Sequence, residues 1–420
     1  ANFPPDISYQ AAPLSDTGKQ DFRFATLPLD YKENPVVKRT NGNTCRTTTF
    51  YLRIPSAVGQ TTQLADLETL PGGDYMLAGA IVSGGNTRKG LLMRLTNAGI
   101  IIQQKQLTVN NYGASIANIK VKTDGTMLIS GIVDDGNHSV FVAHLNNDLT
   151  PVWVKTFVIP GSPQTIVMDV MYDDNITIAV HFNNSIIYAL LEAAGNIKWQ
   201  QQVTPDGLVE LVGFTNLNWS QVGLVYNNNR GGKHITELAE ADKNDGHIIS
   251  ANVKGDGIAE NKALAAGSFN NRLNMISVNK VSGTDFRIHR DILYTSTKAE
   301  TNHSYSANNN INFDASAAMD NAGDIIGVSI PSTGKLILTR HYAYNQTSAV
   351  FTREYNIGQN ASIRAIARSF DGGILCGVNS KDLKEMILIK TDSLGVLPGC
   401  ENTGLTNQST ESLLVPNAAT

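Results

Sequence analysis

Apolar and polar positions alternate along this chain in short runs, each closed by a turn of Asp, Asn and Gly. That is the pattern of half-buried β-strands joined by hairpins. One unit stands out: a strand, an Asp/Gly turn, and a second strand rich in small residues. Leu70-Pro71-Gly72-Gly73-Asp74-Tyr75-Met76-Leu77-Ala78-Gly79 shows it, as does Ser369-Phe370-Asp371-Gly372-Gly373-Ile374-Leu375-Cys376-Gly377. Further copies begin at Lys122-Thr123-Asp124-Gly125 and at Met319-Asp320-Asn321-Ala322-Gly323. The unit recurs about seven times at intervals of roughly fifty residues, the mark of a repeat architecture.

Each repeat divides into strands A, B, C and D. The first predicts A over 63–70, B over 75–82, C over 90–96 and D over 100–107, and two further repeats follow this division through residue 203. The fourth is worn, with strands over 219–226, 234–240 and 247–253, and the fifth has strands over 263–268, 272–280 and 286–294. The sixth runs over 313–355. The seventh has 363–369, 374–378 and 385–391, with no D strand of its own before Pro398. A spare β run over 47–54 stands ahead of the first repeat. Placing it on the outer edge of the last repeat closes a ring and removes the open edge.

The expectation is therefore an all-β, seven-bladed β-propeller closed by an N-terminal strand. The propeller spans 44–402, after an extended arm over 1–43 and before a polar tail over 403–420. Small residues in strand B, as in Leu77-Ala78-Gly79 and Leu375-Cys376-Gly377, fit sheets that crowd together near an axis. Ring closure sets Cys45 beside the turn leading to Cys400, so a Cys45–Cys400 disulfide is expected. Bridging so long a loop is worth about 4–5 kcal/mol on loop-closure grounds. Cys376 reads as a small buried hydrophobe.

Composition narrows the function without naming it. Hydrophobic residues at 41% and charged residues at 17% describe an apolar core under an uncharged polar surface. A dispersed net charge of -4 argues against nucleic acid, and the apolar runs are strand-sized, so no membrane span is expected. The chain starts Ala1-Asn2-Phe3-Pro4-Pro5 without Met, and the expectation is an exported product with its leader removed.

Eight scattered histidines make no paired ligand motif, and Asp242-Lys243-Asn244-Asp245-Gly246, though calcium-loop-like, occupies a C–D hairpin position. Nucleophile elbows, phosphate loops and dinucleotide fingerprints are absent. No catalytic residue, metal ligand or cofactor is assigned. Trp153, Trp199 and Trp219 are expected to pack between sheets, and the loop aromatics Tyr112, Tyr294, Tyr305, Tyr342 and Tyr344 to contact a partner.

Asp371-Gly372-Gly373-Ile374-Leu375-Cys376-Gly377, then Met386-Ile387-Leu388-Ile389-Lys390-Thr391-Asp392-Ser393-Leu394-Gly395 and Pro398-Gly399-Cys400, resembles the repeats of secreted Bacteroidetes surface propellers. Pro71-Gly72-Gly73-Asp74-Tyr75-Met76-Leu77-Ala78-Gly79 repeats the pattern, which fades between Leu208 and Asn308. The resemblance implies type IX secretion, an extracellular or outer cell-surface location, and O-glycosylation at Ser393 within Asp392-Ser393-Leu394. It carries no catalytic residues. The expected function is a non-catalytic module presenting propeller loops to an envelope protein or a glycan, as part of a larger assembly that the arm helps to dock. The alternative is a carbohydrate-active hydrolase or lyase with its site at the central channel, which clustered carboxylates at the axis would favour.

Overall fold

The computed structural model describes residues 8–10, 15–16, 21–26, 49–84, 87–136, 139–254, 260–268, 272–282, 285–294, 300–306, 312–341, 349–380, 384–397 and 408–409. They form a seven-bladed β-propeller of antiparallel sheets. The chain first lays down β1 (Ser8–Gln10), β2 (Ser15–Asp16), β3 (Phe22–Thr26) and β4 (Phe50–Pro55). Blade 1 follows as β5 (Gln60–Thr69), β6 (Tyr75–Ser83), β7 (Thr87–Leu95) and β8 (Ile101–Val109), in A to D order. Blade 2 is β9 (Ala114–Val121), β10 (Met127–Val133), β11 (Ser139–Leu145) and β12 (Pro151–Val158). Blade 3 is β13 (Pro163–Val170), β14 (Ile176–Phe182), β15 (Ser185–Leu191) and β16 (Ile197–Thr204). Blade 4 is β17 (Leu208–Asn216), β18 (Gln221–Arg230), β19 (Lys233–Asp242) and β20 (Ile248–Lys254). Blade 5 is β21 (Glu260–Ser268), β22 (Arg272–Ser282), β23 (Asp285–Tyr294) and β24 (Glu300–Ser306). Blade 6 is β25 (Ser316–Met319), β26 (Ile325–Ile330), β27 (Lys335–His341) and β28 (Ala349–Asn356). Blade 7 is β29 (Ser362–Arg368), β30 (Ile374–Asn379) and β31 (Glu385–Thr391), and its outer strand is β4.

Closure follows the expected route. Strand β4 pairs antiparallel with β31, Phe50 opposite Lys390 and Pro55 opposite Glu385. The seam is locked by Lys390, fully buried, whose Nζ donates to Asp371 Oδ2 at 2.7 Å and to the Asn97 carbonyl of blade 1 at 3.2 Å. The Cys45–Cys400 pairing lies outside the described residues. Cys376 is a free thiol buried between blades 6 and 7, where burial pushes its pKa up to about 12.

The arm adds strands to three blades. Strands β1, β2 and β3 add as fifth strands to β16, β12 and β8, the outer edges of blades 3, 2 and 1. An outer strand exposes unpaired backbone groups, and a tethered segment reaches them first. The described strands of the arm therefore cover their own propeller. From the other terminus, β32 (Gln408–Ser409) adds to β28 in the same way.

The apolar core is divided among the blade interfaces. Seven clusters form, each shared by two adjacent blades; one joins Leu77 and Leu91 of blade 1 to Leu375 and Leu388 of blade 7. A repeated clasp marks four of these interfaces. Trp153, Trp199, Phe351 and Phe50, each on an outer strand, lie on Gly195, Gly246, Gly395 and Gly99 in the C–D turn position of the next blade. A Cβ on those glycines would sit 2.8, 2.5, 2.5 and 3.1 Å from the ring. All four have positive φ, so the turn needs Gly twice over. Trp153 and Trp199 thus pack between blades, as their recurrence suggests.

The B-strand glycines divide into two groups. A Cβ on Gly377 would meet Leu64 of blade 1 at 2.2 Å, and one on Gly327 would meet Ile363 of blade 7 at 2.5 Å, so these admit the neighbouring sheet. Gly79 and Gly131 serve their own blade instead. A Cβ there would fall 1.9 Å from the carbonyl oxygens of Gln63 and Ser115 on strand A.

Two worn repeats depart from expectation. Blade 4 begins with β17, a strand the repeat pattern misses, and this moves Trp219 from a B strand into the A–B turn. Blade 5 gains β24 as its D strand. Tyr305 lies within it and Tyr294 ends β23, so neither is a loop residue. Their side chains, and Tyr342 and Tyr344 altogether, lie outside the described residues.

Candidate functional site: the axial channel

All seven A strands run the same way past the axis, so equivalent positions from different blades meet there. Five of them bulge at nearly one level. Ala65, Ala117, Val212, Leu264 and Arg364 are each the extra residue, skipped between ladder partners. A bulge re-aims its side chain. Four of these five are apolar, and the fifth is a guanidinium.

The channel holds two adjoining cavities. The larger, about 540 Å³, opens toward the A–B turns between Lys122, Thr123, Tyr172, Asp174, Asn274 and Gly323. The smaller, about 230 Å³, is lined by Arg364, Leu264, Ala265, Ala317, Ala318 and Ala365. Glu68, Lys120 and Asn321 belong to the walls of both. These three cross the axis: Lys120 Nζ donates to Glu68 Oε1 at 3.2 Å and to Asn321 Oδ1 at 3.3 Å, and Asn321 Nδ2 donates to Glu68 Oε2 at 3.0 Å.

Carboxylates do cluster at the axis. Asp66, Glu68 and Asp169 surround Lys120, but their oxygens are occupied. Asp66 Oδ1 and Oδ2 accept from the N–H groups of Leu67 and Ile119 at 2.9 and 3.0 Å. Asp169 Oδ1 accepts from Val170 N at 2.9 Å, and its Oδ2 from the Thr215 hydroxyl. Burial raises Glu68 and Asp66 above the usual carboxylate range, against the pull of Lys120. Burial also pulls on Lys120, but Glu68, Asp66 and Asp169 outweigh it and hold the ammonium charged. Arg364 differs from all of these. Among the described residues it has no hydrogen bond or ion pair; its side chain is exposed to the channel, and the partial desolvation there draws its pKa below the ordinary value.

The rim carries an aromatic pair. Tyr172, in the A–B turn of blade 3, lines the mouth, and Trp219 of blade 4 stands edge-on to it with ring centroids 4.1 Å apart. Trp219 is 72% exposed, the reverse of the packed position expected for it. The blade 4 turn Leu217-Asn218-Trp219-Ser220 lifts it clear, with Asn218 Oδ1 accepting from Ser220 N at 2.8 Å. Lys243 Nζ lies 5.0 Å from the Tyr172 ring and donates to Asp173 Oδ2 at 2.6 Å, fixing the pair from behind.

Other expected sites fall elsewhere. Tyr112 is exposed in the blade 1–2 connection, on the opposite face from Trp219. Ser393 is half-buried in the turn after β31, where Asp392 Oδ1 accepts from Leu394 N at 2.9 Å. In the calcium-like turn, Asp242 and Asp245 accept from Asn244 N at 2.7 Å and His247 N at 3.0 Å, so these carboxylates cap their own hairpin. Sequence reasoning missed Tyr172, Trp219 and Arg364. Arg364 had a signal: it is the one charge at a position that is apolar in four sister blades.

Neither a protein-family model nor a curated protein matches the chain. Among solved structures, Kuenenia stuttgartiensis hydrazine synthase matches with a TM-score of 0.53 at 9% identity, over 80% of this chain and 97% of that one. A protein from Lactobacillus plantarum matches with a TM-score of 0.48 at 12% identity, over 74% of this chain and 88% of that one. Likeness at such identity extends to the fold alone.

Proposed function

We propose that the chain is a non-catalytic binding module of the cell exterior that takes a glycan at the A–B mouth of its axial channel. The observation that carries this is the Tyr172–Trp219 pair on the rim of the larger cavity. A large exposed aromatic is informative in a way that a buried one is not. The C–H face of a sugar ring covers such a surface, while its hydroxyls can meet the side-chain amides that Asn274 and Asn321 place in the wall. A cavity of about 540 Å³ falls in the range of small-ligand sites. The surface location rests on the resemblance of the repeats to secreted propellers.

The hydrolytic reading draws on Asp66, Glu68 and Asp169. Against it, these carboxylates tie the axis together: Asp66 accepts from two backbone N–H groups, Glu68 from Lys120 and Asn321, and Asp169 from Val170 and Thr215. A glycan array read with wild type and Trp219→Ala tests the binding reading. Selective binding that Trp219→Ala weakens about tenfold or more, the scale of one lost aromatic contact, is expected. Absence of any glycan binding, or binding indifferent to Trp219→Ala and Tyr172→Ala, would contradict it. Release of reducing ends from a bound glycan would favour the hydrolase instead.

A further inference from the structure

We propose that the smaller chamber of the channel is an oxyanion site read by Arg364, taking a carboxylate, sulfate or phosphate. This goes beyond the glycan at the mouth and does not rest on it. Three observations meet here. Arg364 is the extra residue of the blade 7 bulge, opposite the step between Val378 and Gly377, and it lines the chamber. Where blades 1, 2, 4 and 5 bulge, the residue is Ala65, Ala117, Val212 or Leu264, so the fold does not need a charge there.

The wall beside it is built of Ala265, Ala317, Ala318 and Ala365, which leaves space in front of the guanidinium. The third observation is the state of the other charges. Asp66, Glu68 and Lys120 share the chamber, but they are tied to one another, to Asn321 and to backbone N–H groups. Arg364 alone has no partner among the described residues. Arg364 is exposed to the chamber and so is open to a ligand, and its planar fork of N–H donors matches the two oxygens of a carboxylate or tetrahedral oxyanion. The oxyanion comes either free or carried on a sugar.

Thermal melts with sodium sulfate, phosphate, acetate and chloride, for wild type and Arg364→Leu, test the first source. Leu is chosen because blade 5 carries Leu264 at the same bulge, so the variant should fold. Sulfate stabilises many proteins by exclusion from their surfaces, so the readout is the difference between the two chains. Calorimetry with a uronic-acid or sulfated oligosaccharide and its neutral counterpart tests the second source. Affinity for one oxyanion probe that falls about tenfold or more in Arg364→Leu, the loss of one charge-assisted pair, supports the site. If free ions give it, the ligand is a free oxyanion; if only the acidic oligosaccharide gives it, the group is borne on a sugar. Identical responses of wild type and Arg364→Leu to every probe would overturn the proposal. Because Trp219 is intact in both chains, neutral-glycan binding stays readable whichever way the oxyanion result falls.

Discussion

On the side of the axis formed by blades 1 to 4, the inner strands carry Asp66, Glu68, Asn118, Lys120, Asp169 and Thr215, each hydrogen-bonded to a neighbour. On the side formed by blades 5 to 7 they carry Ala265, Ala266, Gly267, Ala317, Ala318 and Ala365, with Arg364 unpaired among the described residues. One sheet plan serves both. The polar side binds blades together across the axis, as when Asn118 Nδ2 reaches the Ile166 carbonyl of blade 3 at 2.9 Å. The small-residue side leaves volume. Stability should therefore reside on the polar side, and room for an oxyanion on the small-residue side.

The strongest way to break that contrast is Lys120→Met. It removes the one cation facing three carboxylates, and stranding a buried charge costs about 3–5 kcal/mol. Urea unfolding should show this loss, whereas Arg364→Leu on the other side should leave the midpoint unchanged. Equal losses would abolish the distinction.

Glycines give a second test. Gly131→Ala drives a Cβ to 1.9 Å from the Ser115 carbonyl and should cost about 1–3 kcal/mol as overpacking. Gly267→Ala meets only Met319 Sδ at 3.7 Å and should fall within about 0.5 kcal/mol of wild type. Calorimetric melts of the two variants would separate them.

The smallest expected effect lies outside the channel. His181 is 4% exposed, and burial lowers its pKa from the ordinary 6.5. Its Nε2 lies 2.9 Å from the Asn183 carbonyl, consistent with a neutral ring donating that bond. A histidine kept neutral by the fold binds a proton more readily when unfolded, so stability is full above pH 6.5 and falls as pH drops below it. His181→Gln should flatten part of the decline between pH 7 and 5. A profile unchanged by the substitution would mean that His181 titrates freely.

The fold was legible because its repeats carry their own punctuation. Asp371-Gly372-Gly373 and Gly72-Gly73-Asp74 mark the A–B turns, and the lone run before residue 55 has nowhere to go but the open edge of blade 7. Legibility failed where punctuation failed. Strand β17 runs into the turn Leu217-Asn218-Trp219-Ser220, which has no glycine, and β24 reads Glu-Thr-Asn-His-Ser-Tyr-Ser with hardly an apolar position. The arm strands are shorter still, from two residues in β2 to five in β3, where only Phe22 and Phe24 pack on the core, too short a run to show a period.

The candidate site was harder to see for a different reason. Glu68, Lys120 and Asn321 meet only because strand order brings three blades to one axis, and no local motif records that. Arg364 stands out only once the repeats are aligned on their bulges, and bulges are a property of register rather than of composition.

The measurement that bears most directly on the account is a crystal structure of the full chain soaked with a glycan that binds it. The account predicts a sugar ring against Trp219 and Tyr172, with its hydroxyls turned toward Asn274 and Asn321. A sugar seated on the opposite face near Tyr112, with the channel mouth empty, would contradict it.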